Sequence, residues 1–313
     1  MKRALVFPGQ GSQIVGMGKE VADSFPIAKE VFQEVDDSLG QNLSKIIFEG
    51  PMEDLTQTQN TQPALMAVSV AISRVILKES GKSLKDICAY VAGHSLGEYS
   101  ALCVSGAISL ADTARLLKIR GESMAEAVPS GKGGMAALIG VDFEKAQEIA
   151  DSVKDVGDAQ AANDNGGGQV VVSGEMAAID KIVEVASSFG VKKAVKLAVS
   201  APFHSKLMQP AAEKMKAALD DAKVNSPEVP LIANVTAAKV TNGEKIKKLL
   251  VQQVTDMVRW RESVIYMKEN GVEELIEVGS GKVLAGLAKR IDREIAAKSI
   301  QVPADIEGFL AGI

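Results

Sequence analysis

The chain alternates between short, wholly apolar runs and longer runs in which apolar residues recur at helical spacing. The first run, Arg3–Phe7, ends at Pro8-Gly9 and is typical of a short buried strand. Residues 63–79 are apolar on almost every face, which indicates a buried helix. The same patterns predict strands at 88–92, 231–234 and 274–278, and helices at 27–39, from 96, and at 110–127, 208–222, 244–251, 263–270 and 282–291. Alternating strands and helices predict an α/β fold with a mostly parallel sheet covered on both faces.

Residues 131–198 follow a different order. Strands predicted at 135–141, 159–163, 169–173 and 192–198 enclose helices at 144–153 and 177–189. This β-α-β-β-α-β order is the ferredoxin-like pattern. We therefore predict a catalytic core formed by residues 1–130 and 199–313, with a ferredoxin-like α+β subdomain inserted at 131–198.

Charge and cysteine content exclude several classes of protein. The net charge of −5 argues against a general nucleic-acid binder, which carries a basic excess. Arg74 interrupts the longest apolar stretch, and the apolar run at the N-terminus is too short for a signal peptide, so no membrane association is expected. Two cysteines cannot build a disulfide framework, and with only two histidines a zinc site is not expected. A reducing, cytoplasmic setting is predicted.

Residues 93–97 match the G-x-S-x-G pattern of a nucleophile elbow. In such a turn the serine, here Ser95, sits on a strained bend between a strand and a helix. Flanking glycines remove the Cβ atoms that would clash. The pattern alone also occurs in glycine-rich turns with an inert serine, but here it follows a predicted strand and precedes a predicted helix. The amide of Leu96 lies at the start of that helix, where it can donate to a developing oxyanion.

A serine nucleophile needs a neighbouring base. His94 is adjacent to Ser95, but neighbouring side chains on a tight turn point in different directions, so His94 is predicted to be a positioning or packing group. His204, in the loop 200–205, is the predicted base. No orienting carboxylate is evident in the sequence, because the aspartates between Ser95 and His204 lie mostly in the insertion. A backbone carbonyl is the alternative orienting group.

Arg120 lies on the apolar face of the helix predicted at 110–127. A guanidinium there needs an anionic partner, since an unpaired buried charge costs several kcal/mol. Two interpretations fit the pattern equally well. The arginine pairs with a structural carboxylate or snorkels to solvent, or it holds the carboxylate of a dicarboxylic acyl substrate.

Five motifs in order along the chain resemble those of the malonyl-CoA:acyl carrier protein transacylase family. They are Phe7-Pro8-Gly9-Gln10-Gly11-Ser12-Gln13, Gly93-His94-Ser95-Leu96-Gly97-Glu98-Tyr99, Arg120-Gly121, Ala162-Asn163, and Val278-Gly279 with Gly281-Lys282-Val283-Leu284. The resemblance covers nearly the whole chain. It implies an α/β-hydrolase-like core with a ferredoxin-like insertion.

The resemblance also assigns roles residue by residue. It implies that Ser95 is the nucleophile, that His204 is the base and that Arg120 binds the malonyl carboxylate. The amides of Gln10 and Leu96 would form the oxyanion hole. The remaining assignments are the backbone carbonyl of Gln253 as the group that orients His204, Asn163 near the pantetheine arm of coenzyme A, Phe203 as a malonyl-selective side chain, and His94 and Met124 in the substrate pocket. No metal or tightly bound cofactor is implied, since the coenzyme A thioester is a substrate.

The partner implied is acyl carrier protein, which is acidic. It is expected to dock on a basic patch, either Lys289 with Arg290 or Lys192 with Lys193 and Lys196. A solvated run of charges is the alternative interpretation of either patch.

Three other functions remain open at this point. A serine hydrolase of the thioesterase, lipase or patatin type uses the same elbow. Patatin-like enzymes, however, have a glycine after the aspartate, whereas here Asp164 is followed by Asn165. A thioesterase has no need of Arg120. A non-catalytic carrier-binding module would have a damaged elbow or no base. Malonyl transfer also serves polyketide and malonate metabolism, but a free-standing chain of this length favours fatty-acid synthesis. A monomer is expected.

Overall fold

The computed structural model describes residues 1–199 and 201–313, and Ser200 lies outside them. The strands are β1 (Arg3–Phe7), β2 (Tyr90–Gly93), β3 (Gly133–Ile139), β4 (Ala159–Gly166), β5 (Gln169–Glu175), β6 (Lys193–Lys196), β7 (Leu231–Ala233), β8 (Ala238–Val240), β9 (Glu274–Val278) and β10 (Ala296–Ile300). The helices are α1 (Lys19–Ser24), α2 (Pro26–Leu39), α3 (Leu43–Glu49), α4 (Met52–Thr56), α5 (Thr58–Ser80), α6 (Leu84–Ile87), α7 (Gly97–Val104), α8 (Leu110–Glu126), α9 (Phe143–Asp151), α10 (Met176–Val185), α11 (Gln209–Asp221), α12 (Gly243–Gln253), α13 (Trp260–Glu269), α14 (Val283–Ile291) and α15 (Pro303–Leu310).

The larger sheet has six strands in the order β10-β9-β1-β2-β7-β8, and its neighbours are parallel except for the antiparallel pair β7 and β8. Side chains of β1 alternate between two separate apolar cores. Leu5 and Phe7 join one, and Ala4 and Val6 join the other. Both faces of the sheet are therefore covered, and the prediction of a mostly parallel sheet is confirmed.

The second sheet is antiparallel, with the order β4-β5-β3-β6. Helices α9 and α10 pack on it and close a third core that includes Leu138, Ile149, Val172 and Ile182. An antiparallel sheet next to a parallel one confirms the predicted fold class. The short strand β6 replaces the longer strand predicted at 192–198, and α10 ends at Val185 in a 3-10 turn, four residues before the predicted end.

Several elements were missed by the sequence patterns, namely α1, α3, α4, α6, α15, β8 and β10. Most of these elements are short or only weakly amphipathic, so they leave little pattern in the sequence. Helix α5 begins at Thr58, five residues before the predicted start, so Pro63 lies inside the helix rather than in its first turn. Within residues 1–199 and 201–313, no helix is long and apolar enough to cross a membrane.

Candidate active site

Ser95 occupies the sharp turn between β2 and α7. Its φ of 54° is in the left-handed region, which is strained for a residue with a side chain. The two flanking glycines allow the turn. A Cβ on Gly93 would lie 2.0 Å from the carbonyl of Gly97, and a Cβ on Gly97 would lie 2.2 Å from the carbonyl oxygen of Phe7. The strand-turn-helix context predicted for the elbow is present.

Ser95 and His204 are within hydrogen-bond distance. Ser95 Oγ lies 2.8 Å from His204 Nε2, and His204 Nδ1 lies 2.8 Å from the backbone carbonyl of Gln253. Because that carbonyl only accepts, Nδ1 carries the proton and Nε2 is free to accept from the serine hydroxyl. Burial, reinforced by the positive charge of Arg120, lowers the pKa of His204 to about 3. The imidazole is therefore neutral at neutral pH and able to take a proton.

Asn234, just after β7, holds the elbow from behind. Its side-chain oxygen accepts from the amide of Ser95 at 2.8 Å, and its side-chain nitrogen donates to the carbonyl of Gly93 at 2.7 Å. The Gln253 side chain adds a third bond, from Nε2 to the Ser95 carbonyl at 3.0 Å. The strained conformation of Ser95 is thus fixed by side chains from two other elements.

Arg120 is 1% exposed and points at the nucleophile. Its Nη2 donates to Ser95 Oγ at 3.1 Å and to Gln253 Oε1 at 2.9 Å, and its Nη1 donates to Gln62 Oε1 at 2.8 Å. Its Nε has no hydrogen-bond partner among the described residues. Within the same residues no carboxylate lies within 4.0 Å of the guanidinium, so neither a structural ion pair nor snorkelling accounts for the arginine.

Glu98 is 1% exposed and lies on the side of the Gln253 carboxamide opposite Arg120. Its Oε2 accepts from the backbone amide of Asn234 at 3.0 Å and from Gln253 Nε2 at 2.8 Å. Burial raises the pKa of Glu98 to about 7, against the lowering effect of these hydrogen bonds and of the charge on Arg120. Besides this attraction between charges, the side chain of Gln253 joins Glu98 to Arg120 by hydrogen bonds.

These groups open into a cavity of about 360 Å³ between the core and the second sheet. The predicted site residues that line it are Gln10, His94, Ser95, Arg120, Met124, Asn163, Phe203 and His204. A buried cation, a serine-histidine pair and a mostly apolar wall form a site suited to acyl transfer from an anionic acyl group. Among residues 1–199 and 201–313, no group of three or more His, Cys, Asp or Glu side chains is placed to hold a metal ion.

Comparisons with known proteins agree with this geometry. A family model described as an acyl transferase domain matches residues 4–300. The malonyl CoA-acyl carrier protein transacylase of Bacillus subtilis is 45% identical over 307 residues, which are 98% of this chain and 95% of the relative. This chain belongs to the malonyl CoA-acyl carrier protein transacylase family.

Two solved structures extend the likeness of this chain to the transacylase family. An acyl-carrier-protein-S-malonyltransferase from Bartonella henselae is 55% identical, with a TM-score of 0.98 and full coverage of both chains. A malonyl-transacylase in complex with a type II PKS acyl-carrier protein is 40% identical, with a TM-score of 0.96 and full coverage of both chains.

The remaining predicted site residues of this transacylase family member fall into three groups. The backbone amides of Gln10 and Leu96 find no acceptor among the described residues, and both belong to loops at the cavity or the elbow. His94 Nε2 lies 2.9 Å from Asn165 Oδ1, so His94 links the elbow to β4. Lys289 and Arg290 are exposed at the end of α14 and do not line the cavity.

Sequence reasoning missed Gln62, Asn234, Glu98 and the side chain of Gln253. Only Asn234 had a recognisable signal, since it follows a strand of the parallel sheet and polar residues at that edge often serve the site. Glu98 follows Ser95 by three residues, but nothing in its spacing shows that it turns inward. The contacts of Gln62 and Gln253 with Arg120 join residues 58 and 133 positions apart.

Proposed function

We propose that this protein moves a malonyl group from coenzyme A to the phosphopantetheine thiol of acyl carrier protein, through a malonyl-serine intermediate, in fatty-acid synthesis. The observation that carries the proposal is the position of Arg120. A buried guanidinium that has no carboxylate partner in the described part of the chain lies 3.1 Å from the hydroxyl of Ser95, which in turn lies 2.8 Å from His204. A hydrolase of neutral acyl groups has no use for that charge.

In the first half-reaction, His204 Nε2 takes the proton of Ser95 Oγ as the oxygen attacks the thioester carbonyl. The oxyanion that forms is held by the backbone amides of Gln10 and Leu96, and one such donor is worth about 2.7–4 kcal/mol where it has been removed from other enzymes. Collapse of the tetrahedral intermediate breaks the carbon-sulfur bond. The coenzyme A thiolate leaves with the proton from His204, and malonyl remains esterified to Ser95.

The second half-reaction runs in the opposite sense. His204 takes the proton of the phosphopantetheine thiol, and the sulfur attacks the ester carbonyl of malonyl-Ser95. Breaking the carbon-oxygen bond returns the proton to Ser95 Oγ and leaves malonyl on the carrier. The two steps require no metal or redox group, so coenzyme A thioester serves only as substrate.

Selectivity follows from what surrounds Arg120. The malonyl carboxylate accepts from the guanidinium, whereas an acetyl group leaves the buried charge unpaired, which costs binding energy. Phe203, 7% exposed in the cavity wall, crowds an α-methyl substituent. Met124 closes the wall near Arg120. Asn163 also lines the cavity, and its buried Nδ2 has no hydrogen-bond partner among the described residues, so we assign this side chain to an amide of the pantetheine arm.

Further parts of the proposal concern organisation and partners. We infer a catalytic core of residues 1–130 and 199–313 with an inserted subdomain at 131–198, and a monomer that acts in the cytoplasm. The acidic carrier protein is proposed to dock at Lys289 and Arg290. Support comes from the side chain of Arg290, which packs against Gly167 in the turn between β4 and β5. Strand β4, which leads into that turn, carries Asn163.

The test is intact mass after mixing the protein with malonyl-CoA or with acetyl-CoA, for the parent and for Ser95→Ala and Arg120→Ala. We expect a malonyl adduct on the parent, none on Ser95→Ala, and a shift toward acetyl on Arg120→Ala. Steady release of coenzyme A with no adduct would indicate a hydrolase instead. Transfer from the adduct to a fatty-acid carrier protein and to a polyketide carrier protein, compared at equal concentration, tests the assignment of pathway.

A further inference from the structure

The side chain of Gln253 is wholly buried at the end of α12 and makes hydrogen bonds in two opposite directions. Its Oε1 accepts from Arg120 Nη2 at 2.9 Å. Its Nε2 faces three oxygens: Glu98 Oε2 at 2.8 Å, the Ser95 carbonyl at 3.0 Å and Asn234 Oδ1 at 3.3 Å. The carboxamide thus lies between the arginine on one side and a buried carboxylate with the nucleophile elbow on the other.

The polarity of this carboxamide decides how Arg120 is held. A guanidinium has only donors, so it needs the oxygen of Gln253, and a carboxylate has only acceptors, so Glu98 needs the nitrogen. A flipped carboxamide would set donor against donor at Arg120 and acceptor against acceptor at Glu98. Of the three oxygens around Nε2, only that of Glu98 carries a formal charge when its carboxyl group is ionised, above its pKa of about 7. Hydrogen bonds to charged groups are about twice as strong as neutral ones.

A glutamine also holds Arg120 without neutralising it. Direct contact between Glu98 and the guanidinium would make a buried ion pair and so weaken the attraction of Arg120 for a substrate carboxylate. With Gln253 between them, the arginine is held in position by a neutral oxygen and makes no direct ion pair with Glu98. Gln62 supplies a second neutral oxygen to Nη1, but it makes no hydrogen bond to Glu98 among the described residues.

We propose that Glu98 is a positioning residue that acts through the side chain of Gln253, fixing its polarity so that Arg120 is aimed at the nucleophile and remains free to bind an anionic acyl group. This inference rests on the proposed function, because its readout is the preference for malonyl over acetyl. The backbone carbonyl of Gln253, which accepts from His204, is retained in any substitution at position 253. The two contributions of this residue can therefore be separated.

The experiment measures the second-order rate of acylation of Ser95 by malonyl-CoA and by acetyl-CoA, and takes the ratio of the two rates. It compares the parent with Glu98→Gln, Gln253→Met and the double variant. These four proteins form a double-mutant cycle. A second double-mutant cycle combines Glu98→Gln with Gln62→Met, which removes the other neutral acceptor of Arg120. Glu277→Gln is the matched control. Glu277 is another fully buried glutamate of the core, but its contacts are to the backbone at the start of α14.

We expect Glu98→Gln to lower the malonyl-to-acetyl ratio about tenfold, the value of one charge-assisted hydrogen bond. The effect should disappear in the Gln253→Met background and persist in the Gln62→Met background, because among the described residues only Gln253 is hydrogen-bonded to both Glu98 and Arg120. Glu277→Gln should leave the ratio and both rates unchanged. A purely structural role for Glu98 predicts that both rates fall together.

Three outcomes would overturn the inference: equal losses of the malonyl and acetyl rates in Glu98→Gln, an effect of the same size with and without Gln253, or a rise in the ratio. A rise would show that Glu98 competes with the substrate as a counter-charge. Failure of the proposed function is distinguishable from these results, since the parent protein itself would then form no malonyl adduct or show no preference for malonyl.

Discussion

The close approach of α7 to β1 gives the sharpest test of how the elbow is built. Gly97 is the first residue of α7, and a Cβ built on it lies 2.2 Å from the carbonyl oxygen of Phe7. Ordinary contacts begin near 3.4 Å, and the tightest real ones reach 3.0 Å. Gly97→Ala therefore requires the two elements to separate by about 1 Å. Phe7 is the last residue of a central strand paired on both sides, so α7 must move.

Movement of α7 displaces Ser95 and the amide of Leu96 together. A misplacement of about 1 Å at a reacting group costs about 100-fold in rate. The added methyl also overpacks the site, which lowers the free energy of unfolding by about 1–3 kcal/mol. The higher helix propensity of alanine offsets at most about 1 kcal/mol of that loss. We expect Gly97→Ala to fold with reduced stability and to form malonyl-serine about 100-fold more slowly than the parent.

The assay combines the rate of acylation, followed by intact mass, with unfolding in urea. The matched control is Gly286→Ala, within α14, where a Cβ would meet nothing within 4 Å. This control should gain up to about 1 kcal/mol in stability and keep the parent rate. If Gly97→Ala acylated within about threefold of the parent, the argument that the glycine is required by close approach would be wrong.

Three further predictions concern charge. Burial raises the pKa of Glu98 from 4.5 to about 7. Between these pH values Glu98 is protonated in the native state and ionised in the unfolded state, so the parent loses stability as pH rises through this range. The free energy of unfolding of Glu98→Gln, measured in urea, should therefore rise relative to that of the parent by about 3 kcal/mol between about pH 4 and pH 8. A difference in unfolding free energy that stays constant with pH would refute this. Asp164→Asn should lower the free energy of unfolding by about 1–3 kcal/mol in the same assay, because it breaks the 2.8 Å ion pair with Arg261 that anchors β4. An unchanged urea midpoint would contradict this anchoring role. Charge reversal at Lys289 and Arg290 should slow transfer to the carrier protein and weaken its salt dependence without changing acylation by malonyl-CoA, whereas equal salt dependence would exclude this docking site.

The parts of the fold that sequence patterns predicted are those encoded locally. The strand, turn and helix around Ser95 follow from an apolar run, two glycines and a helical pattern within about fifteen residues. The order of elements in the second sheet was predictable for the same reason. Strand β10 was missed because Ala296–Ile300 contains two alanines, a lysine and a serine, and its pairing with β9 is set by the sheet rather than by its own composition.

The parts of the site that could not be predicted depend on contacts between distant segments. The pattern on α8 showed that Arg120 faces inward, but it could not show that its partners are the neutral oxygens of Gln62 and Gln253. Nothing local places Asn234 against the amide of Ser95, 139 residues earlier. The sequence left open whether the anionic partner of the arginine is a carboxylate of the protein or of a substrate, and among the described residues no carboxylate lies within 4.0 Å of the guanidinium.

That absence makes the stability of Arg120→Met informative about why the arginine is there. Replacing a buried charge with an apolar side chain often gains about 1–4 kcal/mol, because its desolvation is relieved. Against this, the oxygens of Gln62 and Gln253 lose their donor, at about 1–3 kcal/mol for each buried group. The two contributions nearly cancel, so we expect Arg120→Met to unfold within about 2 kcal/mol of the parent while losing its preference for malonyl. An arginine that served the fold as half of a buried ion pair would instead cost about 3–5 kcal/mol when removed. A loss of that size in urea unfolding would mean that Arg120 is retained for stability, and substrate selectivity would need another explanation.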